Sequence, residues 1–218
     1  MSAEDLVQLR QLGVRLGFEI IDELADTQAR LDALKDRPEA QAVSALLPLM
    51  NSLVQAGMKD RNDVYGWSLR GRIEGVLVNV RPGGAASYGG GAGHLETHFE
   101  AVFEPSLQLG LKMTHEGAVS RLARRLTGRL GLQTGRAEFD RAIHVKAGNP
   151  QLSAARLADP AVQQALIDAF AMYPYPVVTD RTAKVDHYGL ELEESRVRRE
   201  LNRVASVVRA LGGPERRS

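Results

Sequence analysis

Cysteine is absent from this chain, which excludes disulfides, thiolate metal sites and cysteine nucleophiles. Aromatic residues are scarce at 5%, with a single Trp, so no stacking array accompanies the basic residues. A surplus of either charge is also missing: 28 Lys and Arg against 27 Asp and Glu leave a net charge of +1. No global field therefore draws the chain to nucleic acid or to an anionic membrane. Long apolar runs are lacking as well. The longest, near Ala42-Val-Ser-Ala-Leu-Leu-Pro-Leu-Met50, falls far short of the roughly 20 residues that span a bilayer. The N-terminus brings Glu4 and Asp5 before any apolar block, unlike a secretory signal, and is expected to be mature from residue 1 or 2. What remains, 44% hydrophobic and 25% charged over 218 residues, is the profile of an ordinary globular chain, expected to be soluble and cytoplasmic with no cofactor.

The apolar periodicity changes along the chain. From Glu4 to about Asp36, Leu6, Leu9, Leu16, Ile20, Leu24, Leu31 and Leu34 recur at helical spacing, which predicts one long helix. Pro38 interrupts, and Ala42, Leu46, Leu49, Met50, Leu53 and Val54 predict a second helix folding back on the first. Gly13, Gly17, Ala25, Ala29 and Ala33 form a small-residue row along the first helix, and self-association through residues 4–58 is expected from it. After residue 63 the period becomes 2. Trp67 to Ile73 and Val76 to Val80 predict a hairpin turning at Glu74-Gly75, with further strands over Leu95–Phe103 and Leu107–Met113. A short basic helix is predicted over Ala118–Thr127. Phe139, Ile143 and Val145 then alternate against Asp140, His144 and Lys146 as a strand. Asp159-Pro160 opens a helix to about Phe170, and Val177–Thr179 and Ala183–Val185 pair about Asp180-Arg181. Val197, Leu201, Val204, Val208 and Leu211 stripe a last helix over residues 190–211.

The fold class expected is α+β: an N-terminal helical hairpin over 1–60, then an α+β domain over 61–212 and a disordered tail over 213–218. The domain would hold a largely antiparallel sheet of about five to seven strands with packed helices and a C-terminal amphipathic helix. Gly135-Arg-Ala-Glu-Phe-Asp-Arg-Ala-Ile-His-Val145, Leu157 through Phe170, and Val177 through Leu211 stand in an order that resembles an uncharacterised bacterial α+β family, over roughly residues 65 to 211. The resemblance rests on structural motifs. It implies a domain of unknown function and carries over no catalytic residues.

Four constellations carry possible chemistry. His94, Glu96, His98 and Glu100 alternate along one strand face opposite Leu95, Phe99 and Phe103. His94 and His98 there are candidate metal ligands if a third group arrives from elsewhere. The Gly83–Gly93 loop lacks a phosphate-binding glycine pattern and reads as a hairpin tip, with Tyr88 as a candidate partner anchor. Arg121, Arg124 and Arg125 head the most concentrated basic tract, candidates for anion contacts, although their helix carries an apolar seam of Val119, Leu122 and Leu126 and nucleic-acid binding is not expected. Asp140 and His144, four apart, read as a surface pair on a strand whose other side is core. No serine sits in a nucleophile elbow. Strong structural patterning without a catalytic motif points to a non-enzymatic interaction or scaffold module. The alternatives are a metal-dependent or acid–base enzyme on the His94/His98 face, and a small-ligand binding protein.

Overall fold

Helix α1 (Ala3–Leu16) buries Leu9, Leu12 and Leu16 and stops at Gly17. Gly17 takes φ +70, the Phe18 N–H donates to Gly13 O (2.9 Å) and the Gly17 N–H to Val14 O (3.1 Å). These two bonds with a left-handed glycine are the Schellman arrangement that terminates a helix. The chain then enters strand β1 (Glu19–Asp22). The long helix expected to Asp36 is thus corrected. Its small-residue row is interrupted at Gly17, and Gly13 faces inward, where an added Cβ would lie 2.9 Å from the Leu69 side chain. The computed structural model describes residues 3–22, 67–85, 94–115, 131–172 and 176–212. The expected helices over 39–59 and 118–127 and the tail over 213–218 lie outside these residues.

Eight strands form one sheet among the described residues: β1, β2 (Trp67–Ile73), β3 (Val76–Ala85), β4 (His94–Val102), β5 (Lys112–His115), β6 (Ile143–Lys146), β7 (Val177–Thr179) and β8 (Thr182–Tyr188). Their order is β1-β2-β3-β4-β8-β7-β5-β6, and every pairing is antiparallel. This exceeds the expected five to seven because β1, a four-residue edge strand, stands where helix is expected. The β2–β3 turn is as expected: Ile73 pairs with Val76, and Glu74 (φ 48) and Gly75 (φ 83) both take the positive φ of a two-residue hairpin turn.

The predicted strand over Leu107–Met113 is shorter and later than expected. Gln108 (φ 56) and Gly110 (φ 63) bend the chain out of the extended region. The segment instead crosses the β7–β8 turn, where the Asp180 carboxylate accepts from the N–H groups of Leu109 (3.1 Å), Gly110 (2.7 Å) and Leu111 (2.9 Å). The Asp180 carbonyl accepts from Leu107 N–H at 3.0 Å. The crossing carries the chain from β4 past β8 and β7 to β5.

The strand expected through Phe139 and Asp140 is also corrected. Residues Ala137–Ala142 are a one-turn-plus helix, α2, and only Ile143–Lys146 is strand. Asp140 explains the difference: its carboxylate accepts from Thr134 N–H (2.8 Å), Thr134 Oγ1 (2.9 Å) and Gly135 N–H (3.1 Å), fixing the chain that leads into the helix. Phe139, Ile143 and Val145 are buried all the same, because a spacing of four serves a helix as well as an alternation. Helix α3 (Pro150–Leu157), capped by Asn149 Oδ1 on Leu152 N–H, was not expected, although Asn149-Pro150 repeats the signal of Asp159-Pro160. Helices α4 (Pro160–Met172) and α5 (Glu194–Gly212) stand where expected. All five stripe residues of α5 are buried, and the helix packs across β2, β3, β4 and β8, with α1 and α4 beside it. The core lies between this helical layer and one face of the sheet. The fold is α+β. No helix among the described residues is long and apolar enough to cross a membrane.

Candidate functional site

Strand β4 divides its side chains between two environments. Thr97, Phe99 and Ala101 are buried against the helical layer. Thr97 survives there because its hydroxyl donates to Gly189 O and accepts from Glu191 N–H, both at 2.8 Å. Glu96, His98 and Glu100 project from the other face, as alternation requires. Register then decides their neighbours. His98 stands between Arg81 of β3 and Asp186 of β8, Glu100 between Asn79 and Lys184, and Glu96 between Gly83 and Tyr188.

Two chains of polar contacts run across this face. In one, Arg70 Nε donates to Asn79 Oδ1 (3.1 Å), Asn79 Nδ2 donates to Glu100 Oε2 (3.3 Å), and Arg81 reaches the same Glu100 oxygen at 3.4 Å. In the other, Asp186 Oδ1 lies 2.6 Å from His98 Nδ1 and 3.2 Å from Lys184 Nζ. The His98 and Asp186 side chains are only 19% and 26% exposed, which shields this contact from the screening that weakens surface pairs. Burial by itself would raise the Asp186 carboxyl. The hydrogen bond with His98, with the charges of Lys184 and His98, outweighs it and holds the carboxyl below its ordinary value.

Gly83 makes room for the imidazole. A Cβ at Gly83 would fall 1.9 Å from His98 Nε2, so only glycine lets the ring lie across β3 in this position. The ring is therefore held at Nδ1 by Asp186 while Nε2 lies over Gly83, the cross-strand partner of Glu96. Glu96, His98 and Asp186 each offer one ligand atom within 4.8 Å of the other two.

Of the expected candidates, His98 belongs to this constellation, with Glu96 beside it. His94 opens β4 opposite Ala85. Tyr88, Arg121, Arg124 and Arg125 lie outside the described residues. Asp140 and His144 do not form the surface pair expected of them, since Asp140 caps the turn before α2 while His144 lies on β6 opposite Thr114. Asp186 is absent from the expected set. Continuing the alternation of β8 by one residue past Val185 puts it on the face of Lys184, but nothing local in sequence shows that β8 pairs with β4 across 88 positions. Comparison with protein families, with curated proteins and with solved structures returns no match.

Proposed function

We propose that this protein is a non-enzymatic binding module that works through the polar face of β3, β4 and β8. The observation that carries this reading is the mutual fixing of charged and polar side chains there: Asn79, Arg81 and Glu100 with Arg70 of the neighbouring β2 in one set, His98, Lys184 and Asp186 in the other. Side chains already ordered lose little further entropy when a partner docks, which favours recognition by a rigid charged surface. Self-association through residues 4–58 belongs with it as a second contact, supported by Val7 and Val14, exposed seven positions apart on α1.

The test is a charge exchange. In the double variant Glu100→Lys with Lys184→Glu, the cross-strand pair keeps opposite charges while the pattern presented outward is reversed. The exchange also sets a cation against Arg81 and a carboxylate beside Asp186, so a lower melting temperature is expected, and a partner retained from native lysate by the wild-type chain is expected to be lost by this variant while its circular dichroism remains that of the folded chain. Retention of the same partner by both proteins overturns the reading. A second reading, a metal-dependent or acid–base enzyme, is favoured by one observation, the 2.6 Å contact by which Asp186 orients the His98 imidazole.

A further inference from the structure

We infer that Glu96, His98 and Asp186 form a binding site for a divalent first-row transition-metal cation of the zinc class. The inference rests on reading this face as a binding surface and names what it holds. One imidazole and two carboxylates are the N/O donor set that suits such a cation in a chain without thiols. Three protein ligands leave a fourth position for water or a partner's donor.

The geometry is close to a coordination shell without being one already. Ligands about 2.0–2.2 Å from a tetrahedral ion lie about 3.3–3.6 Å from one another. The three donor atoms here lie within 4.8 Å, so shifts on the order of 1 Å draw them together. His98 Nδ1 and Asp186 Oδ1, at 2.6 Å, are closer than two ligands of one ion and share a proton instead. Binding therefore exchanges that hydrogen bond for coordination. Gly83 supplies an observation independent of the acids: the backbone of β3 is cleared of a side chain where the imidazole lies, and Gly83 is the cross-strand partner of Glu96.

Lys184 opposes the ion. Its ammonium lies 3.2 Å from the same Asp186 oxygen, so a cation entering the site must displace or outcompete it. This gives the site a signature that a merely structural cluster lacks: removing a positive neighbour should improve binding, whereas removing a ligand should weaken it.

The experiment uses the full chain, stripped with chelator and titrated with Zn²⁺ alone, then with Co²⁺, whose visible absorption reports its coordination. One ion per chain is expected. His98→Ala is expected to weaken Zn²⁺ binding by at least about 100-fold and Glu96→Gln by about tenfold or more. Lys184→Met is expected to tighten it by about tenfold. Far-ultraviolet circular dichroism of each chelated variant separates lost ligation from lost folding. Sub-stoichiometric binding by the wild type, unchanged affinity in a folded His98→Ala, or weaker binding in Lys184→Met overturns the site. Because only purified protein and metal enter this titration, its failure leaves partner retention in the charge-exchange test untouched, and the converse holds.

Discussion

Asp180 in the β7–β8 turn and Asp186 within β8 stand six residues apart, and they spend their carboxylates in opposite ways. Asp180 gives both oxygens to backbone N–H groups of Leu109, Gly110 and Leu111, binding a loop that arrives from 70 positions away. Asp186 gives one oxygen to two side chains, His98 and Lys184. Backbone donors have no alternative partner once the loop is in place, so Asp180 is committed to the fold. Side-chain donors can rotate away, so Asp186 can exchange one partner for another. The contrast separates a carboxylate that builds the molecule from one that is available for chemistry.

The comparison can be broken or sharpened by varying what surrounds a carboxylate. The largest effect is expected where an aspartate has no donors at all: Ile143→Asp, at a position 2% exposed, should cost about 4 kcal/mol in denaturant unfolding. Asp180→Ala should follow at about 3 kcal/mol, because it strands backbone donors that the loop geometry cannot redirect. If that loss is under about 1 kcal/mol, the anchoring role is wrong. Asp186→Asn should cost less than about 1 kcal/mol at neutral pH, since the amide oxygen still accepts from His98 or Lys184. Its effect lies in acid. The folded Asp186 carboxyl sits below its ordinary value, so its stabilisation is fully present above the ordinary aspartate pKa of about 3.9 and is lost as the pH falls through the depressed value. Melting temperature measured against pH should therefore fall less steeply below about pH 4 in Asp186→Asn than in the wild type. Parallel acid limbs would place the depressed carboxyl elsewhere.

Much of the fold was legible because it rests on local signals. The stripe of Val197, Leu201, Val204, Val208 and Leu211 reports α5 directly, and the phase change between Ile73 and Val76 reports the β2–β3 turn. What failed was decided by contacts remote in sequence or by competing periodicities. Gly17 ends α1 where Ile20 and Leu24 continue the helical count, and the pairing of Ile20 with Leu69 shows what β1 gains instead. Phe139, Ile143 and Val145 belong to the core as expected although α2 is helix and not strand, because burial depends on which residues are apolar and the element type depends on Asp140 and its donors. The site was half legible for the same reason. Alternation puts Glu96, His98 and Glu100 together within one strand, whereas Asp186 joins them only through the β4–β8 register.

The β1–β2 register has a consequence for where distant parts of the chain must meet. Asp22 and Trp67 are cross-strand partners, so residues 23–66 leave and re-enter the sheet at points about 5 Å apart. In topological terms they are the connection of a single hairpin. The register of β1 with β2 thus closes the edge of the sheet across a long interval of sequence: Glu19 meets Arg70, and Asp22 meets Trp67, with β3 and β4 following in order.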